Sequence, residues 1–120
     1  MNKELREVLS ALHEACARVA RLSGRMSWES VRDDEVHELA LAKAIELVGE
    51  MAYQLRGGFP DFVAAHPDIP FVEAATMRHR LVHSYDTLDP RRLWLTATTS
   101  VPKLRRQLEP ILIDVGEPLS

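Results

Sequence analysis

Apolar residues recur along this chain at steps of three and four, and nowhere do apolar and polar residues alternate over a strand's length. Leu5, Val8, Leu9, Leu12, Cys16, Val19 and Leu22 form one stripe, which predicts a first amphipathic helix over about 3–22 with Gly24 as its stop. After a short link containing Trp28, Asp33 and Asp34 supply an N-cap for a second helix running to about Leu55. Leu41, Ile45, Val48, Ala52 and Leu55 form its buried face, and Gly57-Gly58 ends it. Gly49 inside this helix costs up to about 1 kcal/mol relative to alanine, so its presence predicts close packing against a neighbouring helix.

Phe59 to Pro70 is punctuated by Pro60, Pro67 and Pro70. It reads as a connector holding one short helical turn around Asp61 to Ala65. Pro70 suits the first position of a third helix, where its missing N–H costs nothing, and that helix is expected to run from about Phe71 to Tyr85. Asp89-Pro90 repeats the start signal for a fourth helix with Trp94, Ala97, Val101, Leu104, Leu108 and Ile111 on one stripe. Pro102 lies inside it and predicts a kink near Thr98 to Val101. The expected fold is all-α: an up-and-down four-helix bundle with a kinked last helix and a short extra helical turn, a single domain over 1–120 whose last six or so residues fray.

At 120 residues with 46% apolar and 28% charged residues, the chain is an ordinary globular domain with enough length for one core. The single cysteine, Cys16, excludes an internal disulfide and a cysteine-based zinc site. A charged N-terminus without an apolar segment, and an apolar stretch of only ten residues at 93–102, predict neither a secretory leader nor a membrane span. A cytoplasmic location is therefore expected. The net charge of −3 is unevenly spread: residues 1–75 carry −5, residues 76–106 carry +5 and the remainder −3. The basic block has two readings, an anion or nucleic-acid surface and a set of solvated helix faces that pair with the acidic segments.

Gly-rich phosphate loops, nucleophile elbows and H-E-x-x-H pairs are absent. Of the five histidines only His79 and His83 share a helix face at i, i+4. With no third ligand, and with Arg78 and Arg80 repelling a dication, no metal or cofactor is expected there; His13, His37 and His66 read as surface or partly satisfied residues. The density of Arg78-His79-Arg80-Leu81-Val82-His83-Ser84-Tyr85-Asp86 is different. Arginine matches phosphate oxygens bidentately and histidine titrates near neutrality, so the two together can cleave an RNA phosphodiester, whose 2′-hydroxyl is its own nucleophile. On a straight helix Arg78 and Tyr85 share a face, whereas Arg78 and His83 lie about 140° apart. One phosphate is then reached only if the helix unwinds near His83, if Arg78 wraps round, or if a second copy completes the site. A solvated polar helix end is the competing reading.

Here the sequence resembles the HepT-like toxins of the HEPN superfamily, whose motif R-x-x-x-x-H-x-Y stands as Arg78 to Tyr85. Glu46-Leu-Val-Gly-Glu50 resembles the family's G-E segment. His66 to Pro70 resembles the stretch before the motif helix, and Asp89 to Trp94 the segment after it, so the likeness spans about 34–112. It departs in having His79 where the family commonly has Asn or Asp, and Ser84 where it often has Gly. The resemblance implies a homodimer with two motif helices facing one cleft. It also implies a metal-independent endoribonuclease acting on tRNA or mRNA, the toxin of a type VII-like toxin–antitoxin pair. By the same carry-over His83 is the general acid/base, Arg78 binds phosphate and stabilises the transition state, and His79, Arg80 and Ser84 support the site or bind RNA. Tyr85 matches the tyrosine to which a minimal nucleotidyltransferase antitoxin transfers AMP from ATP. The alternative is a non-catalytic HEPN subunit that binds nucleotide or substrate for a nucleotidyltransferase.

Overall fold

The computed structural model describes residues 1–120 and is built from helices alone, with no strand. Seven α-helices follow one another: α1 (Lys3–Ser23), α2 (Trp28–Asp33), α3 (Glu35–Gly58), α4 (Pro60–Ala65), α5 (Phe71–His83), α6 (Pro90–Leu95) and α7 (Val101–Asp114). A 3-10 turn at Tyr85–Thr87 follows α5, and a π turn at Thr96–Ser100 joins α6 to α7. The four expected helices are α1, α3, α5 and the α6–π–α7 rod, so the bundle is as its apolar stripes predict. None of the helices is long and apolar enough to cross a membrane.

The core is one cluster in which Leu9, Leu12, Leu41, Ile45, Leu55, Phe71, Leu93 and Leu108 are fully buried. The central helix is α3, packed between α1 and α5, and α7 closes the bundle against α1. Burial of these side chains at about 25 cal/mol per Å² is the main force holding the helices together. Cys16 belongs to this core, and burial pushes its thiol pKa up to about 12.

Four local outcomes differ from what the sequence suggests. The link before α3 contains a full helix, α2: Ser27 accepts from the Ser30 amide at 3.1 Å and Ser30 Oγ accepts from the Ser27 amide at 2.9 Å. This reciprocal cap, built from two serines, places Val31 in the core. Pro70 stands just outside α5 as its N-cap rather than at the first helical position. The kink expected from Pro102 takes the form of the π turn. Pro102 has no N–H to give to Thr98, and the Val101 N–H reaches back five residues to the Thr96 carbonyl. Finally, the tail expected to fray is tied down. Gly116, at φ 76°, ends α7 with Glu117 N–H bonded to Leu112 O at 2.9 Å, and the Ser120 amide then donates to Nδ1 of the fully buried His13 at 3.2 Å. His13 Nε2 faces Glu109 at 3.2 Å, so this histidine belongs to the α1–α7 contact.

Candidate active site

The position of Arg78 is set by Gly49. A Cβ at 49 would overlap the Arg78 Cβ and come within 2.8 Å of the Ala74 carbonyl oxygen, so α3 and α5 touch backbone to backbone only because this residue is glycine. The close approach lets Arg78 Nε donate to Glu50 Oε2 at 2.9 Å. The Arg78 guanidinium carbon also lies 5.0 Å from the centre of the Tyr53 ring. The side chains of Arg78 and Glu50 are about a quarter and a third exposed, at 26% and 34%. The arginine is thus clamped through Nε and an aromatic face, while its two terminal nitrogens bond nothing within the chain and remain a fork for an anion.

His83 is in the opposite condition. It is the last residue of α5, exposed, with its ring stacked only on His79, centre to centre at 4.6 Å and tilted by 49°. No hydrogen bond joins it to Arg78. The helix stops here because Ser84 leaves helical geometry at φ −141°, ψ 32°, its amide still donating to the Arg80 carbonyl at 2.8 Å and its own carbonyl accepting from the Thr87 hydroxyl at 2.9 Å. Ser84 acts as a C-cap, and its side chain is exposed.

That early stop redirects Tyr85. The helix expected to reach Tyr85 ends two residues before it, so the face that Arg78 and Tyr85 would share on a straight helix is not formed. Tyr85 Oη instead donates to Glu38 Oε1 at 2.6 Å, and burial together with this carboxylate raises the phenol pKa well above its ordinary range. Glu38 and Glu50 are twelve residues apart on α3, about 18 Å of helix axis. Arg78 and Tyr85 are therefore anchored to separate turns of the same helix and are not brought together within the chain.

Of the other residues singled out in the sequence, His79 is exposed beside His83. Arg80 is half-buried and lines a shallow pocket with Thr76 and Arg92 on another side of α5. His79 and His83 have no third donor near them, as no group of three or more His, Cys, Asp or Glu side chains converges anywhere in the molecule. His66 Nδ1 donates to the Phe62 carbonyl, 2.9 Å away, and has no part in the site. The residues that sequence reasoning missed are Glu38 and Tyr53. Their signal was present: Glu38, Glu46, Glu50 and Tyr53 follow one another on α3 at multiples of about four and mark a polar edge beside the apolar stripe.

With this geometry in view, the chain's relatives are informative. The family model described as "Ribonuclease HepT-like" matches residues 12–111. A Thermococcus cleftensis protein named "Probable ribonuclease HepT" is 29% identical over 109 residues, covering 91% of this chain and 96% of that protein. The Methanocaldococcus jannaschii protein named "Putative RNase MJ1216" is 25% identical over 113 residues, covering 94% and 91% of the two chains. A Caldanaerobacter subterraneus protein named "Putative RNase TTE0752" is 31% identical over 94 residues, covering 78% and 80%. No solved structure matches significantly. A family match over five-sixths of the chain, with the Arg-His-Tyr motif set against the glutamates of α3, makes this protein a member of the HepT-like ribonuclease family.

Proposed function

We propose that this protein is a metal-independent endoribonuclease, the toxin of a toxin–antitoxin pair, acting as a homodimer on tRNA or mRNA in the cytoplasm. The observation that carries the reading is the contrast on α5 between a clamped arginine with a free anion-binding fork and an exposed histidine with no carboxylate partner. Arg78 binds the non-bridging phosphate oxygens. His83 moves the proton as the 2′-oxygen attacks phosphorus and the bond to the 5′-oxygen breaks, leaving a 2′,3′-cyclic phosphate and a 5′-hydroxyl. The negative charge that grows on phosphorus oxygens in the transition state is met by a guanidinium already held in place, which avoids the entropy of ordering it.

Two features favour a second copy completing the site. Arg78 and His83 diverge on one helix, and the surface around the end of α5 and the start of α3 exposes apolar side chains: Val36 at 73%, Leu39 at 50% and Val82 at 44%. Pairing through this surface would cover those side chains and set two motif helices against one cleft. Tyr85 is the acceptor for AMP from a nucleotidyltransferase antitoxin. In that transfer the phenol oxygen attacks the α-phosphorus of ATP, pyrophosphate leaves, and Glu38 takes the phenol proton across its 2.6 Å bond. Because Tyr85 lies away from its own Arg78, the added phosphate acts at the dimer cleft.

The deciding experiment incubates the purified protein with total RNA in EDTA beside His83→Ala, with circular dichroism to show that the variant is folded. Cleavage by the wild type alone, with cyclic phosphate ends, is the expected result. An intact mass showing no AMP on Tyr85, in a folded protein that cuts nothing, would overturn the nuclease reading and leave a nucleotide-binding partner subunit in its place.

A further inference from the structure

Helix α5 sets two histidines side by side at its end. His79 and His83 are both exposed, stand four residues apart on a helix that stays regular through His83, and have ring centres 4.6 Å apart. Two imidazoles that each bind one ion at about 2.0–2.1 Å, with an angle at the metal between 90° and tetrahedral, have ring centres about 4.5–5.2 Å apart. Chelation therefore asks only that two exposed rings turn about their own bonds, with no movement of the helix. Neither ring is committed elsewhere. They touch each other, whereas His13 and His37 face carboxylates and His66 bonds a carbonyl.

The flanking arginines, which in the sequence weigh against a dication, are engaged away from the pair. Arg78 is drawn to α3 by Glu50 and the Tyr53 ring, and Arg80 lines its pocket with Thr76 and Arg92 on another side of α5. The missing third donor remains missing. It lowers affinity without preventing binding, since water fills the open positions, and it makes the site a reversible one rather than the seat of a resident cofactor. The donors also select the ion. Two imidazoles and no carboxylate suit Zn²⁺, Ni²⁺ or Cu²⁺ and offer nothing to Mg²⁺ or Ca²⁺, which take oxygen ligands.

We propose that His79 and His83 together chelate a divalent transition metal of the zinc class, and that the bound ion switches the nuclease off. The binding stands on the geometry of the pair; the inhibition rests on the nuclease reading above. A neutral imidazole has one lone pair. Once His83 gives it to the ion, the ring has none left with which to take the 2′-hydroxyl proton. His79 lies outside the Arg-His-Tyr motif, so the second donor is supplied by this chain and not by the motif. The ion needs no route of its own, because a cleft that admits RNA to His83 admits a hydrated cation.

The test titrates Zn²⁺ into protein freed of metal by EDTA and desalting, and follows the ring signals of the histidines by NMR, with calorimetry for the affinity. Saturable shifts of His79 and His83 together are expected, and none with Mg²⁺. His79→Gln and His83→Gln, both at exposed positions, should each weaken binding at least about tenfold, since each leaves a lone imidazole. In the cleavage assay saturating Zn²⁺ should slow the wild type about 100-fold, and excess EDTA should restore it. His79→Gln should cut at one rate with and without Zn²⁺, whatever that rate is. Shifts centred on His37 or His66, or unchanged affinity in His79→Gln, would overturn the site. Zn²⁺ held at the pair in a protein that still cuts at full rate would overturn the inhibition. Binding is read without cleavage, so a protein that takes Zn²⁺ at the pair but cuts no RNA in EDTA refutes the nuclease and not the site.

Discussion

The two ends of the motif on α5 are built on opposite principles. Around Arg78 the chain has spent a glycine, a glutamate and a tyrosine from α3 to fix one guanidinium. Around His83 it supplies only a neighbouring imidazole and the end of a helix. The arginine proposed to meet the phosphate is ordered before anything binds. The histidine proposed to exchange a proton stays in solvent, with no hydrogen-bond partner in the chain. A held side chain and a free one thus stand on separate turns of one helix.

The largest effect is expected at the unsupported end. His83→Ala should lower RNA cleavage by at least about 100-fold, the usual range for removing a general acid or base, while the melting temperature stays unchanged because the side chain is exposed. A variant that keeps its rate would move proton transfer to His79. Next comes the supported end. Gly49→Ala forces α3 and α5 apart against a backbone carbonyl, costing about 1–3 kcal/mol in chemical denaturation and displacing Arg78, so stability and cleavage should fall together. Glu50→Gln should spare the fold and still weaken the orientation of Arg78, with cleavage reduced about tenfold. Equal rates in the mutant would show that Tyr53 alone suffices to position the guanidinium.

The smallest effect concerns Tyr85. Its pKa is raised in the folded protein, so its contribution to stability is complete below the ordinary phenol range and is lost as pH rises from about 10 upward, where the unfolded chain ionises first. Tyr85→Phe should therefore lose about 1 kcal/mol at neutral pH, from the bond to Glu38, and show a shallower decline than wild type in alkali. It should also remain active as a nuclease while accepting no AMP. Identical alkaline unfolding curves would show that the Glu38 contact does not persist in solution.

The helices were legible in the sequence because their stripes are unbroken and their punctuation is chemical: Asp34 and Asp89 cap as their type and position indicate, at 2.9 and 3.0 Å, and Gly49 marks a place where two helices touch through their backbones. What was not legible depended on a competition between local bonds. The Ser27–Ser30 cap turned a link into a helix, Pro102 converted a kink into a π turn, and Ser84 ended α5 before Tyr85. The last of these mattered most for the site, since the residue spacing of Arg78 and His83 is a property of sequence whereas the partner that Tyr85 finds is a property of where the helix stops. Neither Glu38 nor Tyr53 belongs to a motif, and their roles emerged only when α3 was laid beside α5.

One consequence of the buried Cys16 is practical. With its thiol enclosed in the core and held protonated, the native protein has no reactive thiol at its surface, and a cysteine introduced elsewhere becomes the only handle for thiol chemistry. Val82→Cys, at the end of the motif helix, would then test the proposed pairing of two copies directly, through a disulfide or a pair of spin labels, in an otherwise unaltered chain.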